Sequence, residues 1–133
     1  MKRFIQTSNP VNAPADQVWQ KIAQGDGVEN WLPIIKSSTL TDGNHRVCEM
    51  HEGGTLDETI LAQDSSRTFM YRIDRQQAFP ARNITGIMRV EENGPDQSTL
   101  HWDVEMVVED DEVFAELRKN VEQMYAASAA NLG

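Results

Sequence analysis

The apolar positions of this chain change their spacing twice, and each change marks a new kind of element. Residues 3 to 9 carry Phe4 and Ile5 among polar, β-compatible neighbours, which predicts a first strand ending where Pro10 removes a backbone donor. A helix follows: Pro14 suits its first position, Asp16 complements the positive helix start, and Val18, Trp19 and Ile22 form one apolar face. Gly25 and Gly27 interrupt that face, leaving room for a short helical turn through Glu29, Asn30 and Trp31 before Pro33.

From residue 34 the period shortens to two. Alternating segments at 34–41, 45–51, 55–63, 67–74, 83–91 and 98–108 are separated by residues that tolerate turn geometry, which predicts an antiparallel meander. Alternation groups Leu56, Glu58 and Ile60; Phe69, Tyr71 and Ile73; Ile84, Gly86, Met88 and Val90; and Leu100, Trp102, Val104 and Met106. These four sets are expected to form one inner surface. A two-residue loop at Ser65-Ser66 would pair Ala62 with Phe69, Ile60 with Tyr71 and Glu58 with Ile73, and a further register opposes Met88 to Trp102 and Gly86 to Val104. For the strand at 45–51 two registers are open. A three-residue Glu-Gly-Gly loop turns Arg46, Cys48 and Met50 inward, and is favoured; a two-residue loop turns Val47, Glu49 and His51 inward.

The last element returns to helical spacing. It opens at Asp110 or Asp111 and carries Phe114, Leu117, Val121, Met124 and Ser128 on one stripe, with Glu116, Arg118, Lys119, Glu122 and Gln123 on the other side. About twenty residues of helix span roughly 30 Å, enough to cross the whole sheet. No repeat or linker divides the chain, so one domain over residues 1–133 is expected.

Composition narrows the partners. The 133 residues are 39% hydrophobic and 25% charged, close to the globular average, and can support a core without staples. A net charge of −9 argues against nucleic acid and against anionic membrane surfaces. No apolar run reaches the ~20 residues of a membrane span, and the basic opening Met-Lys-Arg lacks the apolar stretch of a signal peptide, so a cytoplasmic location is expected. Cys48 is the one cysteine and is expected to be a reduced strand residue. A monomer is expected, or a homodimer through an exposed strand edge.

Several chemistries lack their residues. There is no G-x-S-x-G elbow, and His45, His51 and His101 lie on separate strands without metal-ligand spacing, His101 on the outer face. Neither phosphate-binding glycine motif is present. No metal and no cofactor is therefore expected.

The order of strand, two short helices, six strands and long C-terminal helix resembles the START-like, birch-pollen-allergen-like (SRPBCC) helix-grip fold, in the α+β class. Ala13-Pro14 with Val18-Trp19, Trp31-x-Pro33, Gly54-x-Leu56-x-Glu58, Asp64-x-x-Arg67-x-x-x-Tyr71-x-Ile73 and Thr99-x-His101-Trp102 are similar to the polyketide cyclase/dehydrase-like branch. The resemblance covers essentially the whole chain. It implies a curved seven-stranded antiparallel sheet wrapped around the last helix, and a cavity between them for a small hydrophobic molecule. Gly86, mid-strand, marks either a place where the sheet must leave room or an ordinary bulge.

The residues expected to line such a cavity are Trp31, Arg46, Cys48, Glu58, Ile60, Phe69, Tyr71, Met88, Trp102, Val104, Phe114, Leu117, Val121 and Met124. An inward Glu58 among apolar neighbours would have a raised pKa and exchange a proton with a ligand, or else form an internal ion pair with Arg46. Tyr71 and Trp102 offer an OH and an indole N–H. Three functions fit: a carrier or sensor of a hydrophobic ligand, which leads; a cofactor-independent cyclase, aromatase or dehydratase using Glu58 and Tyr71 as acid and base; and a protein-interaction module with a filled core.

Overall fold

The computed structural model describes all residues 1–133. Its elements are β1 (Lys2–Val11), α1 (Ala15–Ala23), a 3-10 turn (Val28–Asn30), β2 (Ile35–Leu40), β3 (His45–Met50), β4 (Thr55–Asp64), β5 (Thr68–Arg75), β6 (Arg82–Glu92), β7 (Ser98–Val107) and α2 (Asp111–Leu132). All seven strands join one antiparallel sheet in the order β1-β7-β6-β5-β4-β3-β2. β1 therefore crosses over to pair with β7, and β2 forms the opposite edge. This edge position corrects the expected end of the first strand: an edge strand tolerates a missing N–H, so β1 runs through Pro10 to Val11, opposite Thr99 and Ser98.

The four alternating sets do face one interior. Every member but Ile73 is buried, and Ile73 is half-buried and packs on the core. Met88 lies opposite Trp102 and Gly86 opposite Val104. The loop between β4 and β5 differs from expectation. It has three residues, Ser65 to Arg67, with Arg67 in the left-handed region at φ 60°, so Asp64 pairs with Thr68 and Gln63, not Ala62, opposes Phe69. An odd loop alone would turn the strand inside out. A bulge between Ile60 and Ala62 leaves Leu61 as the extra residue, exposed, and restores Ile60 to Tyr71 and Glu58 to Ile73.

β3 turns Arg46, Cys48 and Met50 inward, as the favoured register requires. The hairpin closes one residue earlier than expected, with Met50 N–H donating to the Gly54 carbonyl across His51, Glu52 and Gly53. That shift pairs Arg46 directly with Glu58. Gly53 and Gly54 both have φ near +90°, a conformation costly for other residues.

α2 starts at Asp110, whose carboxylate accepts from the amides of Glu112 and Val113 at 2.8 and 3.1 Å. Its buried face reads Leu117, Val121, Tyr125, Ser128, Ala129 and Leu132. Val18 and Ile22 of α1 are buried against the same core, which contains 29 residues in one cluster.

Candidate functional site

Between the inner sheet face and the middle of α2 the core is not completely filled. A cavity of about 60 Å³ lies there, lined by 16 residues of which 15 are hydrophobic. The sheet supplies Leu56 and Glu58, Tyr71 and Ile73, Ile84, and Trp102, Val104 and Met106; the helix supplies Leu117, Val121, Met124 and Tyr125. Leu32, Ile34, Phe79 and Ala81 close the side. Beyond them lies an open recess of about 600 Å³ between Ala78-Phe79-Pro80 and the outer edge of α2, where Glu112, Val113, Glu116 and Asn120 stand. Ile34, Phe79, Leu117, Val121 and Met124 line both spaces and so form the wall between them.

One charged group borders the inner cavity. Glu58 is 5% exposed, and its Oε1 accepts from Arg46 Nε at 2.6 Å and from the Cys48 thiol at 3.9 Å. Arg46, equally buried, also donates to the Gly25 carbonyl at 2.8 Å and lies over the rings of Phe69 and Tyr71. Glu58 Oε2 receives no hydrogen bond from the protein. Burial pushes the Glu58 pKa up, and the Arg46 charge opposes that rise. Burial, then the Glu58 charge, lifts the Cys48 thiol to about 12, so this cysteine is not a nucleophile at neutral pH.

The aromatic wall is built around Trp102. Its ring stacks on Tyr125 at 3.6 Å between centroids and 5° between planes, and its Nε1 donates to the Tyr71 hydroxyl at 3.0 Å. Burial first, then neighbouring Glu58, raises Tyr71 to about 12; burial and the adjacent Tyr71 hold Tyr125 well above the usual phenol value. Gly86, directly opposite Tyr71, makes this possible: a Cβ built there would overlap the Tyr71 ring. The glycine is in register with both neighbouring strands, so it leaves room and is not a bulge.

Of the residues expected at the cavity, Glu58, Tyr71, Trp102, Val104, Leu117, Val121 and Met124 line it. Arg46, Cys48, Ile60, Phe69 and Met88 are buried but do not, because at their end of the sheet the space is taken by the ion pair and the packed core. Trp31 lies edge-on to Trp102 at 5.9 Å and accepts from Asn131 at its carbonyl, a staple between the 3-10 turn, β7 and α2; its indole N–H is buried without a partner. Phe114 is half-buried under the Arg3 guanidinium, 5.2 Å away. Sequence reasoning missed Tyr125, although it continues the four-residue ladder of Leu117 and Val121, and missed Phe79, which sits in an irregular connection with no period to read.

The outer face of the sheet holds a second polar chain. Ser8 Oγ lies 2.7 Å from His101 Nδ1, and His101 Nε2 lies 2.9 Å from Glu91 Oε1. The order matches a hydrolytic triad, but Glu91 and its bonds are exposed, and the ladder pairing β1, β7 and β6 occupies the strand amides that would hold an oxyanion. It is a cross-strand surface network.

A single antiparallel sheet gripping a long C-terminal helix, with an apolar cavity between them, defines the helix-grip, START-like class. The chain belongs to the family described as polyketide cyclase / dehydrase and lipid transport, which it matches over residues 4–133. The protein XoxI from Bacillus cereus is similar in structure at a TM-score of 0.84 and 27% identity, over 97% of this chain and 92% of that one. The Zhui aromatase/cyclase from Streptomyces sp. R1128 aligns at 0.79 and 20% identity, over 99% and 92% of the two chains, and Ara h 8.0201 at 0.74 and 15%, over 99% and 98%. The latter two establish the fold alone. No protein of curated function matches the chain in sequence. No helix is long and apolar enough to cross a membrane.

Proposed function

We propose that this protein binds a small hydrophobic molecule between the sheet and the middle of α2, as a carrier or sensor that performs no chemistry on it. The supporting observation is the cavity itself, walled by fifteen hydrophobic residues and one carboxylate, and divided from a larger outer recess only by side chains that line both. At about 60 Å³ the inner space holds a few waters, whereas pockets for drug-sized ligands measure roughly 300–1,000 Å³. Binding therefore joins the two spaces. Phe79 and Met124 are half-buried members of the shared wall, and methionine re-packs at low cost. A ligand that favours the joined form shifts the population toward it.

Binding without catalysis is favoured by the state of the acid–base candidates. Glu58 is tied to Arg46, and Tyr71 at about 12 is a poor proton donor at neutral pH. Native mass spectrometry of protein purified from its own cells, with extraction and identification of released molecules, tests the reading. A stoichiometric apolar passenger is expected, and it is lost in a folded Leu117→Trp variant whose indole fills the cavity. A passenger retained by that variant would place binding outside this cavity, and no passenger, with a filled core in a crystal structure, would move the function to protein interaction.

A further inference from the structure

The polar chemistry around the two spaces selects among hydrophobic molecules. Glu58 is the only charged residue lining the inner cavity, beside the Tyr71 hydroxyl that accepts from Trp102, and it has one oxygen committed to Arg46 and one without a protein donor. A ligand acceptor such as an ether or ketone placed there leaves Oε2 unpaired in an apolar site, and a ligand carboxylate adds like-charge repulsion to that loss. A hydroxyl or amine satisfies it. The outer recess independently points the same way. Its charged lining residues are Glu112 and Glu116, both exposed, and no lysine or arginine lines it. The basic side chains near the start of α2, Arg3 and Arg82, are paired with Asp111 and Glu109. The whole chain carries −9, so the path inward repels anions.

We infer that the occupant is a non-anionic amphiphile, an aromatic or alicyclic skeleton bearing a hydroxyl or amino group, whose donor is received by Glu58 Oε2. This rests on the binding reading above and names its ligand class. Carboxylates and phosphate esters, fatty acids and phospholipids among them, are disfavoured by the same charges. The stacked Trp102–Tyr125 wall suits a flat ring skeleton over a flexible chain.

Three probes sharing one ring system separate the terms: 2-naphthol, which donates; 2-methoxynaphthalene, which only accepts; and 2-naphthoate, which is anionic. Each is titrated into the intact protein while the indole N–H resonances of its three tryptophans are followed, Trp102 being at the cavity. The naphthol is expected to bind about tenfold or more tighter than the methoxy compound, in line with the rejection shown by sites built for a donor, and the naphthoate weakest of all. In Glu58→Gln that preference should shrink or invert, because the amide offers a donor. Should that variant not fold, the exposed double variant Glu112→Gln/Glu116→Gln carries the second arm: it should improve naphthoate binding several-fold at low salt and little at high salt. Equal binding of naphthol and methoxynaphthalene, or naphthoate binding best, overturns the donor rule while leaving the pocket intact. No indole shift with any probe overturns the pocket reading itself.

Discussion

Two polar chains cross this sheet on opposite faces, each including one glutamate, and they differ in almost everything else. Arg46, Glu58 and Cys48 lie on the inner face, each no more than 5% exposed, against aromatic rings and beside a cavity. Ser8, His101 and Glu91 lie on the outer face with short hydrogen bonds and the residue types of a triad. Water competes for every bond of the outer chain, whereas the inner one is buried and leaves a carboxylate oxygen without a protein donor beside the cavity. Hydrogen-bond geometry alone is therefore a poor guide to function. The surroundings decide whether a partner outside the chain is needed.

That contrast can be broken most forcefully at Arg46. Arg46→Met strands a buried carboxylate, and loss of one partner from such a pair costs roughly 3–5 kcal/mol. Urea denaturation should show that loss, with most of it recovered when Glu58→Leu is added, since two apolar side chains of similar volume replace the pair. If the single variant keeps its stability, the pair is not desolvated as described.

A smaller effect comes from pH. The Cys48 thiol titrates near 12 when folded against 9.0 as its reference, so the unfolded chain releases its proton first. Its contribution is intact below about pH 9 and declines as pH rises toward 12, by about 1.4 kcal/mol per pH unit once the unfolded thiol is ionised. Tyr71, displaced from 10.0 to about 12, adds to the decline above pH 10. Cys48→Ala should flatten the stability profile between pH 9 and 10, compared with wild type at each pH. An unchanged slope would mean the thiol is not held protonated.

The least effect belongs to the outer chain. His101→Gln should change stability by about 0.5 kcal/mol or less and leave naphthol binding untouched, as expected for an exposed network. A large change in either would mean the two faces communicate.

Much of this arrangement was legible before the structure. Period-two alternation placed Leu56, Glu58, Ile60, Tyr71, Met88 and Trp102 on one surface, because burial of one face is what fixes that alternation. The Arg46–Glu58 pair was one of two readings of an inward carboxylate, and the structure selects it. Where the cavity begins and ends was less legible. Alternation tells which face is buried but not how far along the strand packing is complete, so Ile60, Phe69 and Met88 have the same pattern as Tyr71 and Trp102 yet fill the core. The compensating bulge at Leu61 was hidden because loop and bulge each add one residue and their effects on facing cancel.

The most direct test of the central claim is a crystal structure of the protein soaked with 2-naphthol. The ring is predicted against the Trp102–Tyr125 wall with its hydroxyl on Glu58 Oε2, and with Phe79 and Met124 turned aside so that the inner cavity and outer recess are continuous. Naphthol confined to the surface, with the wall between the two spaces unmoved, would contradict it.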